Sequence, residues 1–311
     1  MRGEEVEPLA GLLRLADEAG YHFITVTPET HRRVVERRGG EPARDLRDVF
    51  GWSMPFAPDL LEPEVLRLLE DARALERRPD GRLHSLVRVS SLAGRLFLHS
   101  AWPTEEEESV FFGPDTYRFA RFIEAEVREL EPGGRIVDMG AGSGPGGILA
   151  GGLLEAADVT LIDVNSRALL LAEANAAAAG LAVETVEAGS LSGIAPADLI
   201  ISNPPFIADP KGRSYRDGGD GLGTDLSLQW AAEGAALLNP GGRMLLYTGS
   251  PIVGGEDRLL GRLVEAMDEA GCTLRYEELD PDIFGEELDQ PAYAEAAVER
   301  IAAVGAVISR D

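Results

Sequence analysis

The sequence predicts an α/β fold built on a mostly parallel sheet, with a smaller α+β domain ahead of it. Three observations carry that expectation. From Asp115 onward, apolar helical stripes alternate with short apolar runs, as crossover helices between parallel strands require. Two of those runs end in an acid, Ile136-Val137-Asp138 and Leu161-Ile162-Asp163, and the first leads into a glycine-rich turn. A third run, residues 197–201, stops at Ser202-Asn203-Pro204-Pro205-Phe206. Proline has no N–H and a fixed φ, so the chain has to leave a parallel ladder there.

Residues 6–19 and 28–38 have helical apolar spacing. Residues 63–77 read as the clearest helix, with Pro63 at its start and Leu66, Leu69 and Leu75 available for one face. Pro79-Asp80-Gly81 marks a turn, and residues 86–90 and 96–100 read as a strand pair around Leu92-Ala93-Gly94-Arg95. A helix followed by a two-stranded wing is winged-helix-like. The four glutamates at 105–108 read as a solvated linker. We therefore expect a first domain at 1–108, which selects the substrate, and a second at 109–311. In the second, residues 115–130 form a helix with Phe119, Phe122, Ile123 and Val127 on its apolar stripe. Strands are expected near Ile136, Leu161, Val183, Leu199 and Met244, and helices near Leu153, Leu170, Leu228 and Leu260. Residues 211–223, rich in Gly, Asp and Arg, form a long loop suited to a lid.

The net charge is −25, of which −6 falls on residues 1–108 and −19 on the remainder. A nucleic-acid enzyme needs cations to replace condensed counterions, so this balance points away from duplex or structured RNA substrates. The same acidity also serves plain solubility. The one cysteine, Cys272, excludes an intramolecular disulfide and any cysteine-based metal cluster, and no metal is expected. No stretch approaches the roughly 20 apolar residues of a membrane span, and the acidic N-terminus lacks a signal peptide's apolar core. A cytoplasmic protein is expected. All four histidines precede residue 109, leaving the second part without a histidine to act as base or ligand.

Ligands of open α/β sheets bind at the carboxyl ends of the strands. Asp138 stands at one such end, and Asp163, 21 residues beyond Gly142, is placed to accept hydrogen bonds from ribose hydroxyls. The run Gly142-Ser143-Gly144-Pro145-Gly146-Gly147 formally satisfies the dinucleotide fingerprint G-x-G-x-x-G, so a nicotinamide enzyme has to be weighed. Asp138 counts against it, being unwelcome beside a pyrophosphate yet suited to the cationic amino group of S-adenosylmethionine. At the third strand end, the Asn203 carboxamide, the Pro204 carbonyl and the Phe206 ring suit a planar acceptor bearing an NH₂ group. Hydrogen bonds to Asn203 and Pro204 would aim its nitrogen lone pair. Pro205 holds the turn between them and Phe206.

These motifs resemble the class I S-adenosylmethionine-dependent methyltransferases of the Asn-Pro-Pro-Phe/Tyr group, and among them the release-factor glutamine methyltransferases. The resemblance runs from Phe111 to Arg310 through Phe111-Phe112-Gly113-Pro114-Asp115-Thr116, residues 138–144, residues 163–168, Asn203-Pro204-Pro205-Phe206-Ile207 and Gly218-Gly219-Asp220-Gly221-Leu222. It implies a Rossmann-like, seven-stranded sheet closed by an antiparallel pair at 272–279 and 299–309. It implies S-adenosyl-L-methionine as cofactor, S-adenosyl-L-homocysteine as product, and a bacterial enzyme. The implied cofactor contacts are Phe112, Thr116, Asp138, Gly140, Ala141, Gly142, Gly144, Asp163, Val164, Asn165, Ser190, Leu191 and Asn203. The catalytic group is Asn203, Pro204, Pro205 and Phe206. Gly113-Pro114 stands where the glutamine-modifying enzymes carry Arg-Pro. Gly189-Ser190-Leu191 replaces an acid near the adenine, which assigns adenine recognition to the Ser190 hydroxyl or to backbone groups. A protein or small-molecule acceptor is expected. An exocyclic amine of rRNA or DNA, and a non-catalytic binding module, stay as alternatives.

Overall fold

Proline and glycine placement decides where the first helices begin and end. The computed structural model describes residues 2–104, 106–128, 130–155, 158–209 and 216–311. Helix α1 (Arg2–Glu18) closes before Gly20, which turns at φ 67°. Helix α2 (Pro28–Arg37) starts on Pro28, with the Thr30 N–H donating to Thr27 Oγ1 at 3.2 Å. Asp45 caps the short α3 (Leu46–Phe50) in the same way. Helix α4 (Pro63–Asp71) ends six residues before the expected 77. Arg73 turns to φ 52°, and residues Leu75–Arg77 become strand β1, paired with β2 (Leu83–Ser85) across the Pro79-Asp80-Gly81 turn. The ladder partner outweighs the local helical pattern. Strands β3 (Val87–Leu92) and β4 (Arg95–Ser100) form the expected pair, joined by Ala93 and Gly94, both at positive φ. The region is α+β, with two hairpins in place of one wing.

Beyond Glu108 come α5 (Pro114–Val127), β5 (Arg135–Met139), α6 (Pro145–Leu153), β6 (Asp158–Asp163), α7 (Ser166–Ala178), β7 (Glu184–Glu187) and β8 (Ala197–Ser202). They are followed by the short turn α8 (Asp220–Gly223), α9 (Asp225–Leu237), β9 (Leu238–Val253), the two-residue β10 (Glu256–Asp257), α10 (Leu260–Ala270), β11 (Thr273–Asp280), α11 (Pro291–Glu295) and β12 (Val298–Ser309). Seven strands lie in the order β11-β12-β9-β8-β5-β6-β7, and β10 pairs with β9 as an eighth. The run from β9 to β7 is parallel, whereas β12 pairs antiparallel with both β9 and β11. This is a Rossmann-like, mostly parallel sheet with helices on both faces.

One face packs Phe119, Ile123, Ile148 and Ile201 under α5 and α6; the other packs Ile200, Trp230, Leu246 and Leu263 under α9 and α10. The first hundred residues do not close a core of their own. Leu9, Leu12, Leu13 and Ala16 of α1 share one apolar cluster with Ala168, Leu171 and Ala174 of α7. Asn175 fastens this junction. Buried to 1 % exposure, its Oδ1 accepts from the Leu98 N–H at 2.8 Å, while Nδ2 donates to the carbonyls of Leu98 (3.1 Å) and Ser143 (2.8 Å). One side chain thus ties β4 and α7 to the glycine turn after β5.

Of the expected lid at 211–223, residues 211–215 lie outside the described residues, as does Glu105 of the expected linker. The remainder of the loop is tied to the strand end after β8, with the Gly218 N–H donating to the Ile207 carbonyl at 2.9 Å. Among the described residues no helix is long and apolar enough to cross a membrane.

Candidate active site

Strand β5 delivers Asp138 to the first turn of α6, where its Oδ2 accepts the Gly147 N–H at 2.7 Å. A helix N-terminus favours an anion there. Burial still dominates and pushes the Asp138 carboxyl up to about 7; the Gly147 N–H opposes that rise and the nearby Asp163 charge adds to it. Past the strand the chain turns at Gly140, φ 73°, with the Trp230 ring directly behind it: a Cβ would lie 2.7 Å from Trp230 Cζ3. The positive φ and the close Trp230 ring both require glycine at this point.

Strand β6 ends at Asp163. Its Oδ2 accepts from the Gly142 N–H and its Oδ1 from the Asn165 N–H, both at 2.8 Å. Each oxygen keeps a second lone pair for a ligand hydroxyl. Burial raises this carboxyl too, against the Asn165, Gly142 and Val164 N–H groups. Val164 follows, an apolar side chain left 52 % exposed. Asn165 is committed largely to structure. Its Oδ1 caps α7 through the Arg167 and Ala168 N–H groups, and its Nδ2 donates to the Glu108 carbonyl.

Strand β8 brings Asn203 to the same edge. Its carboxamide is half-buried, and no described residue hydrogen-bonds to it or to the Pro204 carbonyl. The Phe206 ring lies flush on Gly249, where a Cβ would meet Cδ2 at 2.3 Å, and packs edge-on against Phe284 at 5.8 Å. Phe206 is therefore a fixed wall.

All three strand ends open into one cavity of about 740 Å³, within the range of small-molecule sites. Twelve of the residues expected in the site line it: Thr116, Asp138, Gly140, Ala141, Gly142, Asp163, Val164, Asn165 and the four of the Asn203–Phe206 turn. The other four do not. Phe112 is buried behind the wall, stacked on His99 at 5.0 Å, and its neighbour Phe111 lines the cavity in its place. The Gly144 N–H closes the turn on the Ala141 carbonyl. Ser190 and Leu191 stand beyond Ala188 and Gly189, which form the wall there, and the Leu191 N–H donates to Glu233. Thr116 reaches the cavity, but its hydroxyl accepts from the Gly113 N–H and fastens the start of α5.

The amino-terminal region also contributes. Glu29 and Arg32 of α2 line the cavity, with Trp102, whose ring stacks on the buried His31 at 4.7 Å. Sequence reasoning missed Trp102 and Trp230, which belong to no recognisable spacing and reach the wall through contacts distant in the chain; Asp115 stood in the quoted motif at 111–116 but was given no role in the site. Among the described residues no group of three or more His, Cys, Asp or Glu could hold a metal ion.

Residues 120–252 match the methyltransferase small domain family. The chain is 34 % identical over 199 residues to the release factor glutamine methyltransferase of Deinococcus radiodurans, covering 59 % of this chain and 70 % of that protein. It is 30 % identical over 272 residues to the enzyme of the same name from Cereibacter sphaeroides, covering 79 % and 88 %. The chain belongs to the release factor glutamine methyltransferase family. A likeness in fold alone links it to Trm5b from Pyrococcus abyssi, with a TM-score of 0.51 at 17 % identity over 79 % of this chain and 68 % of the other. The chain is thus an S-adenosylmethionine-dependent N-methyltransferase, and S-adenosylmethionine is its cofactor.

The wall residues fit that group: a buried carboxyl for a cationic amino group, an acid with free lone pairs for a ribose, and an exposed apolar side chain for a flat base. The methyltransferase should bind S-adenosylhomocysteine in a pH-dependent way. A cationic amino group favours the ionised Asp138, whose free carboxyl titrates at about 7. Affinity should therefore drop by up to about tenfold per unit as pH falls below 7, and level off above it. Calorimetry between pH 5.5 and 8 checks this; a flat profile in the wild type would remove Asp138 from the contact.

Proposed function

We propose that the enzyme methylates the side-chain amide nitrogen of a glutamine in a protein acceptor, as the names of its bacterial relatives indicate for them. The observation that carries this reading is the pair of unengaged acceptors, the Asn203 carboxamide and the Pro204 carbonyl, in one cavity with Asp138 and Asp163. In this reading the 109–311 part holds the cofactor. Asp163 accepts the ribose hydroxyls, Val164 covers the base, Asp138 faces the amino group, and backbone groups near Gly189 read the adenine edge. The 1–108 part selects the acceptor, and the enzyme works in the cytoplasm.

An amide nitrogen is a poor nucleophile because its lone pair is delocalised. Hydrogen bonds from its two N–H groups to Asn203 Oδ1 and the Pro204 carbonyl turn the lone pair toward the cofactor. They also stabilise the positive charge that develops on nitrogen. Phe206, held by Gly249 and Phe284, keeps the planar amide in that orientation. S-adenosylmethionine supplies a methyl group already made electrophilic by its sulfonium.

Charge supports a protein over a nucleic acid. Three of the four arginines between residues 32 and 38 are paired internally. Arg32 pairs with Glu29 and Glu36, Arg33 with Glu29, and Arg38 with the buried Asp48. With a net −25 on the chain, affinity for ribosomal RNA should be negligible even at low ionic strength. Titrating labelled ribosomal RNA across a salt series tests this. Tight binding at low salt with a steep negative salt slope would move the proposal to a nucleobase acceptor.

A further inference from the structure

The wall that faces the Asn203 turn carries a third group. Asp138 pairs with Ile201, and Ile201 with Leu245, across β5, β8 and β9. Residues two apart share a face, so Asn203 and Tyr247 continue that row on the side covered by α5. Asp115, in the first turn of α5, comes down onto it and lines the cavity. It is 2 % exposed. Its Oδ1 accepts from the Tyr247 hydroxyl at 2.8 Å and from Arg118 Nη1 at 3.3 Å, and Arg118 is held in turn by Asp280 at 2.8 Å. No described residue donates to Oδ2. An acid serving only the start of the helix has no need of a buried tyrosine from the neighbouring strand. This one is clamped at one oxygen and open at the other.

Resting on the glutamine reading above, we propose that Asp115 is a catalytic residue of the acceptor site: its Oδ2 receives the proton that the reacting nitrogen sheds from one of the two N–H groups held by Asn203 and Pro204. The nitrogen lone pair forms the new N–CH₃ bond as the C–S bond breaks, and that electron pair leaves with sulfur as a neutral thioether. The excess proton on nitrogen passes to Asp115 Oδ2 and then to water, which restores the carboxylate. The groups facing Asp115 are Tyr247 from β9, Arg118 from its own helix and Asp280 from β11. Burial raises its carboxyl and Asp280 adds to the rise, while Tyr247 and Arg118 hold it down.

The test is the pH dependence of kcat with donor and a bacterial release factor both saturating, so that donor binding does not contribute. Wild type should lose activity on the acid side as Asp115 takes up a proton. Asp115→Asn should lose about 100-fold in kcat together with that acid limb, while its S-adenosylhomocysteine affinity stays within about threefold. Tyr247→Phe removes a hydrogen bond that favours the carboxylate and should shift the limb to higher pH. If Asp115→Asn does not fold, judged by thermal melting, the shift in Tyr247→Phe decides the matter alone. An unchanged kcat profile in either folded variant overturns the role. So does an Asp115→Asn protein that loses donor affinity and keeps kcat, since Asp115 would then be a donor contact. No transfer by the wild type removes the glutamine reading and this role with it; transfer by the wild type and equally by Asp115→Asn counts against Asp115 alone.

Discussion

Asn203→Ala should lose about 10²–10³-fold in kcat, while binding S-adenosylhomocysteine nearly as well as the wild type. The carboxamide is half-buried at the mouth of the turn, makes no hydrogen bond within the described protein, and supports no packed element. Its loss therefore costs little in folding. What disappears is an acceptor aimed at the nitrogen where charge develops, and groups of that kind contribute chiefly in the transition state. A fall in kcat with donor affinity preserved is the pattern to look for. Near-normal turnover in a folded Asn203→Ala protein would make the residue a turn former and leave the orienting mechanism without its main group.

The second large effect is on stability. Asn175→Ala leaves the Leu98 N–H, the Leu98 carbonyl and the Ser143 carbonyl without their side-chain partner inside the protein. Unmet buried groups cost about 1–3 kcal/mol each, and partial relaxation shares some of that loss, so a total of about 3 kcal/mol is expected. Because Ser143 belongs to the glycine turn, donor affinity should fall as well. Urea unfolding of the variant measures the first effect and calorimetry the second. A loss below about 0.5 kcal/mol would show that water replaces the asparagine and that the junction is held by the apolar cluster alone.

Much of the catalytic half was legible in the chain, for identifiable reasons. Strands that end in acids or prolines announce their own carboxyl ends, so the sequence alone places Asp138, Asp163 and Asn203 on one edge. Spacing says less about the direction of a side chain. Phe112 and Phe111 sit in the same motif, yet alternation turns one into the core and the other to the cavity. Ser190 lies in the expected loop, but its neighbours Ala188 and Gly189 form the wall. The helix expected over 63–77 stopped early because Leu75 found a ladder partner in Ser85, a tertiary contact that a periodic pattern does not encode. Least visible were the residues that act across the chain. Asn175 meets a strand 77 residues away and Asp115 a tyrosine 132 residues away. The amino-terminal region was read as a separate unit. Its core is completed by α7, and Trp102 and Arg32 form part of the cavity wall.

The central claim is that one cavity brings a methyl donor to a glutamine amide. Mass spectrometry of a bacterial release factor incubated with this enzyme and isotopically labelled S-adenosylmethionine tests it most directly. The claim predicts one labelled methyl group per acceptor, located by fragmentation on the side-chain nitrogen of a glutamine, and incorporated at least about 100-fold more slowly when Asn203→Ala replaces the wild type. Label on another residue type, or label found in ribosomal RNA while the release factor stays unmodified, would contradict it.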